Sequence, residues 1–441
     1  MKVRNLQDVF TYLLSFTNLE QNSNLFNPRN YRLDRMHSLL EHFGNPHNAF
    51  LVLHVAGTKG KGSTAAFLAS VLTAAGFRTG LYTSPHVSSF LERISVLEIL
   101  PDEKLLVRLT NQIKQMLEQH QTLPAYDSPT TFELLTLLGF LYFRETHCRY
   151  AVLETGIGGR LDATNVVDPV LCLITPVELE HTDILGETLE EIAREKGGII
   201  KPGVPVFSAL QEPRAKEIFS NISRKRGSEI IFLDEALESL DAHCSTTHTE
   251  LFLKIKGQTP RRFRLALLGD FQAENAALAY LALKTYFDFP DSDFEQGFWK
   301  TVIPGRMEVI SRNPYVVLDG AHTPRSILRV LKVFQNLFGS RGVLLFGSIT
   351  GKKILEMAEI LAPAFGRIII TTPGGFKLSN PEETYKIFKS RNPGTRLIKS
   401  PQEALREALD LTDGIAPLLA TGSFYLLGEI RDFWIKGERR S

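Results

Sequence analysis

A glycine-rich loop between two apolar stretches constrains this chain more than any other feature. Residues 50–53 form an apolar run that reads as a buried strand. Residues 65–75 read as a helix, with Gly76 placed to end it. Between them lies His54-Val55-Ala56-Gly57-Thr58-Lys59-Gly60-Lys61-Gly62-Ser63-Thr64. Strand, glycine-rich loop and helix in this order wrap backbone N–H groups around phosphates at a helix N-terminus. Glycines let the backbone come close, a lysine reaches the terminal phosphates, and a hydroxyl meets Mg²⁺. The common loop of this kind ends Gly-Lys-Ser/Thr, whereas here Gly62 separates Lys61 from Ser63. A ligand-free turn would share the glycines, but not the two lysines and these flanks.

The chain has 441 residues, more than one ordinary core organises, which predicts two domains. Pro304-Gly305-Arg306 reads as the hinge, so the expected division is 1–303 and 304–441. A formal net charge of +1 makes no electrostatic case for nucleic acid or a membrane surface as partner. Met1-Lys2-Val3-Arg4-Asn5 lacks the apolar core of a signal peptide, and the greasy run 134–143 is too short to span a bilayer. Cys148, Cys172 and Cys244 fit neither a zinc pattern nor a disulfide framework, so a cytoplasmic location is expected.

Several further stretches carry candidate chemistry. Residues 31–43 read as an amphipathic helix with Leu33, Met36, Leu40 and Phe43 on one face. A short strand at 79–82 ends in Thr83-Ser84-Pro85-His86, where Ser84 and His86 either face a ligand or belong to a proline turn. A buried helix opens near Ser128-Pro129-Thr130-Thr131-Phe132-Glu133, capped by Ser128 or by a Thr130/Glu133 capping box. Phe132 either stacks on a flat ring or joins the core. The strand at 150–153 delivers Glu154 to its carboxyl end, a hard-oxygen ligand suited to Mg²⁺ beside phosphates. His181 follows another strand at 170–175. Thr188 and Glu191 make a capping box, and Leu189, Ile192, Ala193 and Lys196 share the face of the helix it opens, so Lys196 lies on an apolar face. Gln272 and Asn275 share a face at the start of an alanine-rich helix. Beyond the hinge, runs at 315–318, 343–346, 367–371 and 418–421 alternate with helical spacing, which predicts a second parallel sheet. Its first strand ends in Asp319-Gly320-Ala321-His322.

Taken together, these motifs resemble the folylpolyglutamate synthase/dihydrofolate synthase family of the Mur ligase superfamily. The phosphate loop with its extra glycine is shared by all Mur ligases. The run Gly159-Arg160-Leu161-Asp162-Ala163-Thr164-Asn165 is particular to the folate branch. The resemblance implies an α/β fold, with an N-terminal P-loop-type parallel-sheet ATPase domain and a smaller C-terminal Rossmann-like α/β domain. It implies ATP-dependent addition of L-glutamate to a folate or dihydropteroate, by a monomer. Gly57, Thr58, Lys59, Gly60, Lys61, Gly62, Ser63 and Thr64 would hold ATP, with Asn275, Arg306, Asp319 and His322. Ser84, Glu154 and His181 would bind Mg²⁺. Lys196 would be carbamylated and act in catalysis with Lys61 and His181. Phe132, Leu161, Asp162 and Ala163 would line the pterin site. The alternatives are another Mur-type amino-acid ligase or a P-loop nucleotide-binding module without ligase chemistry. The chain departs from the family at Glu180, where Asp is usual, at Phe271, where His is usual, at Leu97-Glu98 in place of an Asn-Gly-like turn, and at Gly351-Lys352-Lys353, where an acidic-Lys-acidic pattern is usual.

Overall fold

The computed structural model describes residues 2–18, 32–119 and 128–438. The first sheet has seven strands: β1 (Leu51–Ala56), β2 (Thr79–Tyr82), β3 (Ile94–Val96), β4 (Tyr150–Glu154), β5 (Leu171–Ile174), β6 (Val206–Ser208) and β7 (Ile230–Phe232). Their order is β3-β2-β4-β1-β5-β6-β7, parallel throughout except for the β2–β3 pair. β1 lies between β4 and β5, so the carboxyl ends of these three strands emerge side by side. Ligands of open parallel sheets bind at that edge.

Both faces of this sheet are covered, which is why its strands read as continuous apolar runs. Leu53 and Val55 of β1 pack in one core with helices Lys61–Ala74, Asp270–Phe287 and Asp291–Lys300. Val52 points to the other core, with helices Leu33–His42, Glu103–Gln119 and Thr131–Glu145. The phosphate-loop helix begins at Lys61 rather than at residue 65, because Gly60 is its N-cap at φ 84°. The loop's last residues are therefore the first helical turn. In the cap of Thr131–Glu145, Thr130 takes the N-cap place rather than Ser128: its N–H donates to Glu133 Oε2 at 2.7 Å, and the Glu133 N–H donates to Thr130 Oγ1 at 3.2 Å. Arg35 of helix Leu33–His42 donates to both oxygens of Glu133, at 3.0 and 2.8 Å, and both side chains are buried. The turn after β3 puts Glu98 at φ 61°, in the left-handed region that Asn or Gly enters more easily, and Lys300 holds its carboxylate at 2.6 Å.

Three antiparallel strands, β8 (Leu237–Cys244), β9 (Thr249–Ile255) and β10 (Arg261–Leu265), form a meander beside helix Asp270–Phe287. The second large sheet contains β11 (Glu308–Arg312), β12 (Tyr315–Asp319), β13 (Val343–Phe346), β14 (Arg367–Ile370), β15 (Thr395–Leu397) and β16 (Leu418–Thr421), in the order β11-β12-β16-β13-β14-β15. It departs from the expected parallel sheet in one strand: β11 pairs antiparallel with β12. That edge strand and β15 escape a search for apolar runs, since both are short and carry polar residues. No helix among the described residues is long and apolar enough to cross a membrane, and the three cysteines are free.

The Arg35–Glu133 pair ties helix Leu33–His42 to the mouth of helix Thr131–Glu145. Glu133→Ala removes the capping partner and takes the buried carboxylate away from the Arg35 guanidinium. We expect a loss of about 3–5 kcal/mol, the range for breaking a buried pair, read from urea denaturation. A loss under about 1 kcal/mol, as at exposed pairs, would show that this buried pair contributes little to stability.

Candidate active site

A cleft of about 1820 Å³ runs between the two large sheets. Its floor is the phosphate loop. The Thr58 and Lys59 N–H groups both donate to the Pro176 carbonyl, at 2.9 and 3.2 Å, which pins the loop to the chain leaving β5. Gly60 must be glycine twice over: its φ is 84°, and a Cβ there would collide with the Asn275 side-chain oxygen. The first-turn N–H groups of helix Lys61–Ala74 have no intrahelical partners and point with the helix dipole toward the cleft.

Beside the loop, β4 ends in Glu154, which is 4% exposed. Its Oε1 lies 3.8 Å from Lys61 Nζ, and its Oε2 accepts the Ser84 N–H at 3.0 Å. Burial pushes the Glu154 carboxyl above its usual range, while the Lys61 ammonium and the Ser84 amide pull it back. A Cβ on Gly62 would stand 3.2 Å from Glu154 Oε2, so this extra glycine keeps room beside the carboxylate. His181 lines the same cleft with its side chain exposed, held at φ 55°.

Among the described residues, no group of three His, Cys, Asp or Glu side chains could by itself hold a metal ion. The oxygens present nonetheless suit Mg²⁺, which takes one or two carboxylates and completes its shell with phosphates and water. Glu154 supplies such a carboxylate against the phosphate loop, with Ser84 and Ser63 beside it in the cleft. His86, by contrast, does not line the cleft. Its Nδ1 accepts from Arg93 Nε at 2.9 Å and its ring packs on Phe90 at 4.1 Å.

Gly57, Thr64 and Lys196 do not line the cleft but sit behind it. Lys196 is 4% exposed and donates to the Gly57 carbonyl at 2.6 Å. Burial, with Lys61 nearby, brings its pKa down to about 7.

A second lobe of the cleft holds Phe132, Leu161, Asp162 and Ala163. The Phe132 ring packs over Gly156, where a Cβ would come within 2.7 Å of it. Asp162 is 3% exposed and caps the turn Ala163–Val166. Its Oδ2 accepts from Gly156 N and Ile157 N at 2.8 and 3.2 Å, and its Oδ1 from Thr164 N and Oγ1 at 3.0 and 2.6 Å. The carboxylate therefore organises the wall of the pocket rather than standing free in it.

The second domain closes the cleft from above. Asp319 at the end of β12 accepts from Met307 N and Ala321 N at 2.9 and 2.8 Å. The Arg306 guanidinium lies 4.3 Å over the Phe424 ring. Nδ1–H of His322 donates to the Gly320 carbonyl at 2.8 Å and so turns Nε2 toward Glu180, 3.5 Å away. Glu180 also takes Lys59 Nζ at 3.0 Å on both oxygens. Burial raises its carboxyl, but His322 and Lys59 outweigh that and hold it well below the usual range. Asn275 donates to Gln272 Oε1 at 3.0 Å, above the loop.

Sequence reasoning missed two interdomain ion pairs. Arg325 reaches Glu178 at 3.2 Å, and Arg329 reaches Glu274 at 2.6 Å. Their spacing, i and i+4 on helix Pro324–Phe338, was a visible signal of a cationic face. Also missed was the wall of Phe376, Lys377 and Tyr425, in which Phe376 stacks on Tyr425 at 5.2 Å.

A glycine-rich loop facing a cleft between two α/β sheets, with a buried carboxylate beside it and a second lobe opposite, fits a ligase of the Mur class. Residues 55–283 match the Mur ligase middle domain, and residues 305–424 match the Mur ligase glutamate ligase domain. The chain belongs to the folylpolyglutamate synthase/dihydrofolate synthase family within that class. It is 33% identical to the dihydrofolate synthase/folylpolyglutamate synthase of Bacillus subtilis, over 90% of this chain and 94% of that one. It is 34% identical to the folylpolyglutamate synthase of Lacticaseibacillus casei, over 92% and 94%. The crystal structure of Thermotoga maritima folylpolyglutamate synthase superposes with a TM-score of 0.85 at 28% identity, covering 98% of this chain and 97% of that one.

The interdomain pairs make a direct prediction. Arg325→Ala with Arg329→Ala should lower kcat/KM for ATP by about three- to tenfold, as expected for two exposed pairs of about 0.3–0.7 kcal/mol each. Parent and variant should converge in about 1 M salt, where screening shortens to about 3 Å. A deficit that persists in high salt would point to packing instead.

Proposed function

We propose that this chain uses ATP to join L-glutamate to the carboxylate of a folate, and also of dihydropteroate. The observation that carries this reading is the pairing of Lys61 with buried Glu154 on the floor of a cleft that also contains the Phe132–Asp162 lobe. Loop amides, Lys61 and Asn275 would hold ATP from the first domain, and Arg306, Asp319 and His322 from the second. Glu154, Ser84 and His181 would hold Mg²⁺, which when bound neutralises charge on the phosphates.

A carboxylate and an amine do not condense at neutral pH, because the departing oxygen would leave as oxide or hydroxide. An acid oxygen instead attacks the γ-phosphorus, the bond to ADP breaks, and an acyl phosphate forms. The glutamate α-amine then adds to the acyl carbon, loses its proton, and phosphate departs. This chain's part is alignment and charge stabilisation: Lys61 and the loop amides offset charge on the transferring group. The domains close over the site through Glu180, Glu178 and Glu274, excluding water that would hydrolyse the acyl phosphate.

Incubation with ATP, glutamate and either acid should release ADP and phosphate, with a product heavier by one glutamyl unit in mass spectrometry. Phosphate release with no amide product would refute the assignment. Asp162→Ala frees the Gly156 and Ile157 amides and reshapes the lobe. It should lower kcat/KM for dihydropteroate about tenfold or more, the scale for leaving buried polar groups unpaired, and for a folate by less. Equal losses on both acids would argue against a dihydropteroate site there.

Lys196 is proposed to carry a carbamate. A pKa of about 7 leaves much of the amine neutral near pH 7, and only the neutral amine adds CO₂. Below that pH the ammonium dominates and the carbamate should be lost; above it the carbamate should form readily. Labelled bicarbonate should give a carbamate signal in ¹³C NMR that fades as pH falls through about 7 and is missing in Lys196→Ala. That variant should lose at least about a hundredfold in kcat, the range for an essential site group, with partial rescue by a short carboxylate. Undiminished activity would refute the role.

A further inference from the structure

His54 is a polar side chain in the middle of β1, wholly buried at 0% exposure. Its strand neighbours are Leu153 on β4 and Cys172 on β5, and it stands three residues before Gly57. A leucine in that place would cost less, because buried polar groups need partners. His54 has one: Nε2 lies 2.8 Å from Thr164 Oγ1. Its Nδ1 is buried without a partner. Burial, with Lys201 nearby, brings its pKa down to about 3, so the ring is neutral and carries a single N–H.

The direction of the hydrogen bonds follows from counting protons. Asp162 accepts four hydrogen bonds, which fill the lone pairs of both oxygens and favour its ionised form. The single Thr164 hydroxyl proton is given to Asp162 Oδ1 at 2.6 Å. Thr164 Oγ1 is left as an acceptor toward His54. The His54 proton must then sit on Nε2, and Nδ1 becomes the bare nitrogen that the structure leaves unpaired. The chain of donors runs from His54 to Thr164 and ends on Asp162, whose other oxygen accepts from the Gly156 and Ile157 amides, under the Phe132 ring.

We propose that His54 is a positioning residue that, through Thr164 and Asp162, sets the wall of the acid-binding lobe from the strand that also carries the phosphate loop. The relay touches neither ATP nor the acid. Its role rests on the reading that this lobe takes the pterin acid. It explains why a strand-centre histidine with an orphaned nitrogen stands where an apolar residue would fit.

The test uses full-length protein and dihydropteroate as the calorimetric probe. His54→Met removes the donor at similar volume and should weaken dihydropteroate binding about tenfold, as expected for one lost hydrogen bond to a charged network, while ATP affinity stays within about twofold. His54→Gln places an amide N–H near the Nε2 position and should recover most of the loss. Thr164→Val should weaken dihydropteroate binding at least as much as His54→Met, since it also removes the donor to Asp162, and the double variant should be no worse than Thr164→Val alone, because residues of one relay are not additive. Loss of ATP and dihydropteroate binding in equal measure, or a His54→Gln as weak as His54→Met, would overturn the proposal. So would unaltered dihydropteroate binding in His54→Met. ¹⁵N NMR decides the relay without turnover or ligand: a proton on Nε2 whose signal shifts in Thr164→Val supports it, and a proton on Nδ1 overturns it. If the parent protein binds no dihydropteroate, the functional reading of the lobe fails, and the NMR result alone decides the relay.

Discussion

The architecture depends on one buried carboxylate placed against one lysine. Glu154 is taken out of water at the end of β4, and Lys61 and the Ser84 amide offset the cost. For a carboxylate to meet the phosphate loop at all, β4 must lie directly beside β1, and the β3-β2-β4-β1-β5-β6-β7 order provides this. Gly62 follows from the same constraint, since a side chain between Lys61 and Ser63 would press on Glu154. The departure of this loop from the common Gly-Lys-Ser/Thr ending thus has a steric cause in a residue 92 positions away in sequence.

Burial acts with opposite sign on the acids and bases around this point. It raises the carboxyls of Glu154 and Asp162 and depresses Lys196 and His54. In each acid, donors aimed at the carboxylate offset part of that rise: a lysine and an amide for Glu154, four protein donors for Asp162. For Lys196 the Glu180 and Asp162 carboxylates offset burial only in part, and for His54 burial dominates, so both bases tend to the neutral form. Lys196 is thereby a candidate nucleophile toward CO₂, and His54 a fixed single-proton donor. Burial thus works against the charged form of all four groups, and what differs is how many donors or charges answer it.

The contact between the domains is electrostatic and shares members with the phosphate site. Glu180 binds Lys59 of the loop and faces His322 of the second domain. Glu178 and Glu274 face Arg325 and Arg329 on one helix side. Ion pairs at a partly exposed seam form and break at small net cost, which suits domains that must open to exchange substrates. The departure to Glu180 from the family's usual Asp lengthens the side chain, and here its two oxygens meet Lys59 while one also faces His322.

The sequence alone determined the local events. Glycine at positive φ, a capping box at Thr188, apolar runs at parallel strands and Lys196 on an apolar helix face all follow from interactions among near neighbours in the chain. These were legible because sterics and periodicity act over a few residues. The resemblance carried by the Gly57–Ser63 and Gly159–Asn165 stretches added the fold and the reaction. Only the tertiary structure decided which side chains meet. Ser84 and His86 look alike in sequence, yet one turns its amide to Glu154 and the other packs on Phe90. Asp162 reads as a ligand to substrate, yet its oxygens are spent on the pocket wall. The edge strands β11 and β15, the Arg325 and Arg329 pairs and the His54 relay join residues far apart in the chain. Their partners are chosen by strand order and domain packing, which no local pattern encodes.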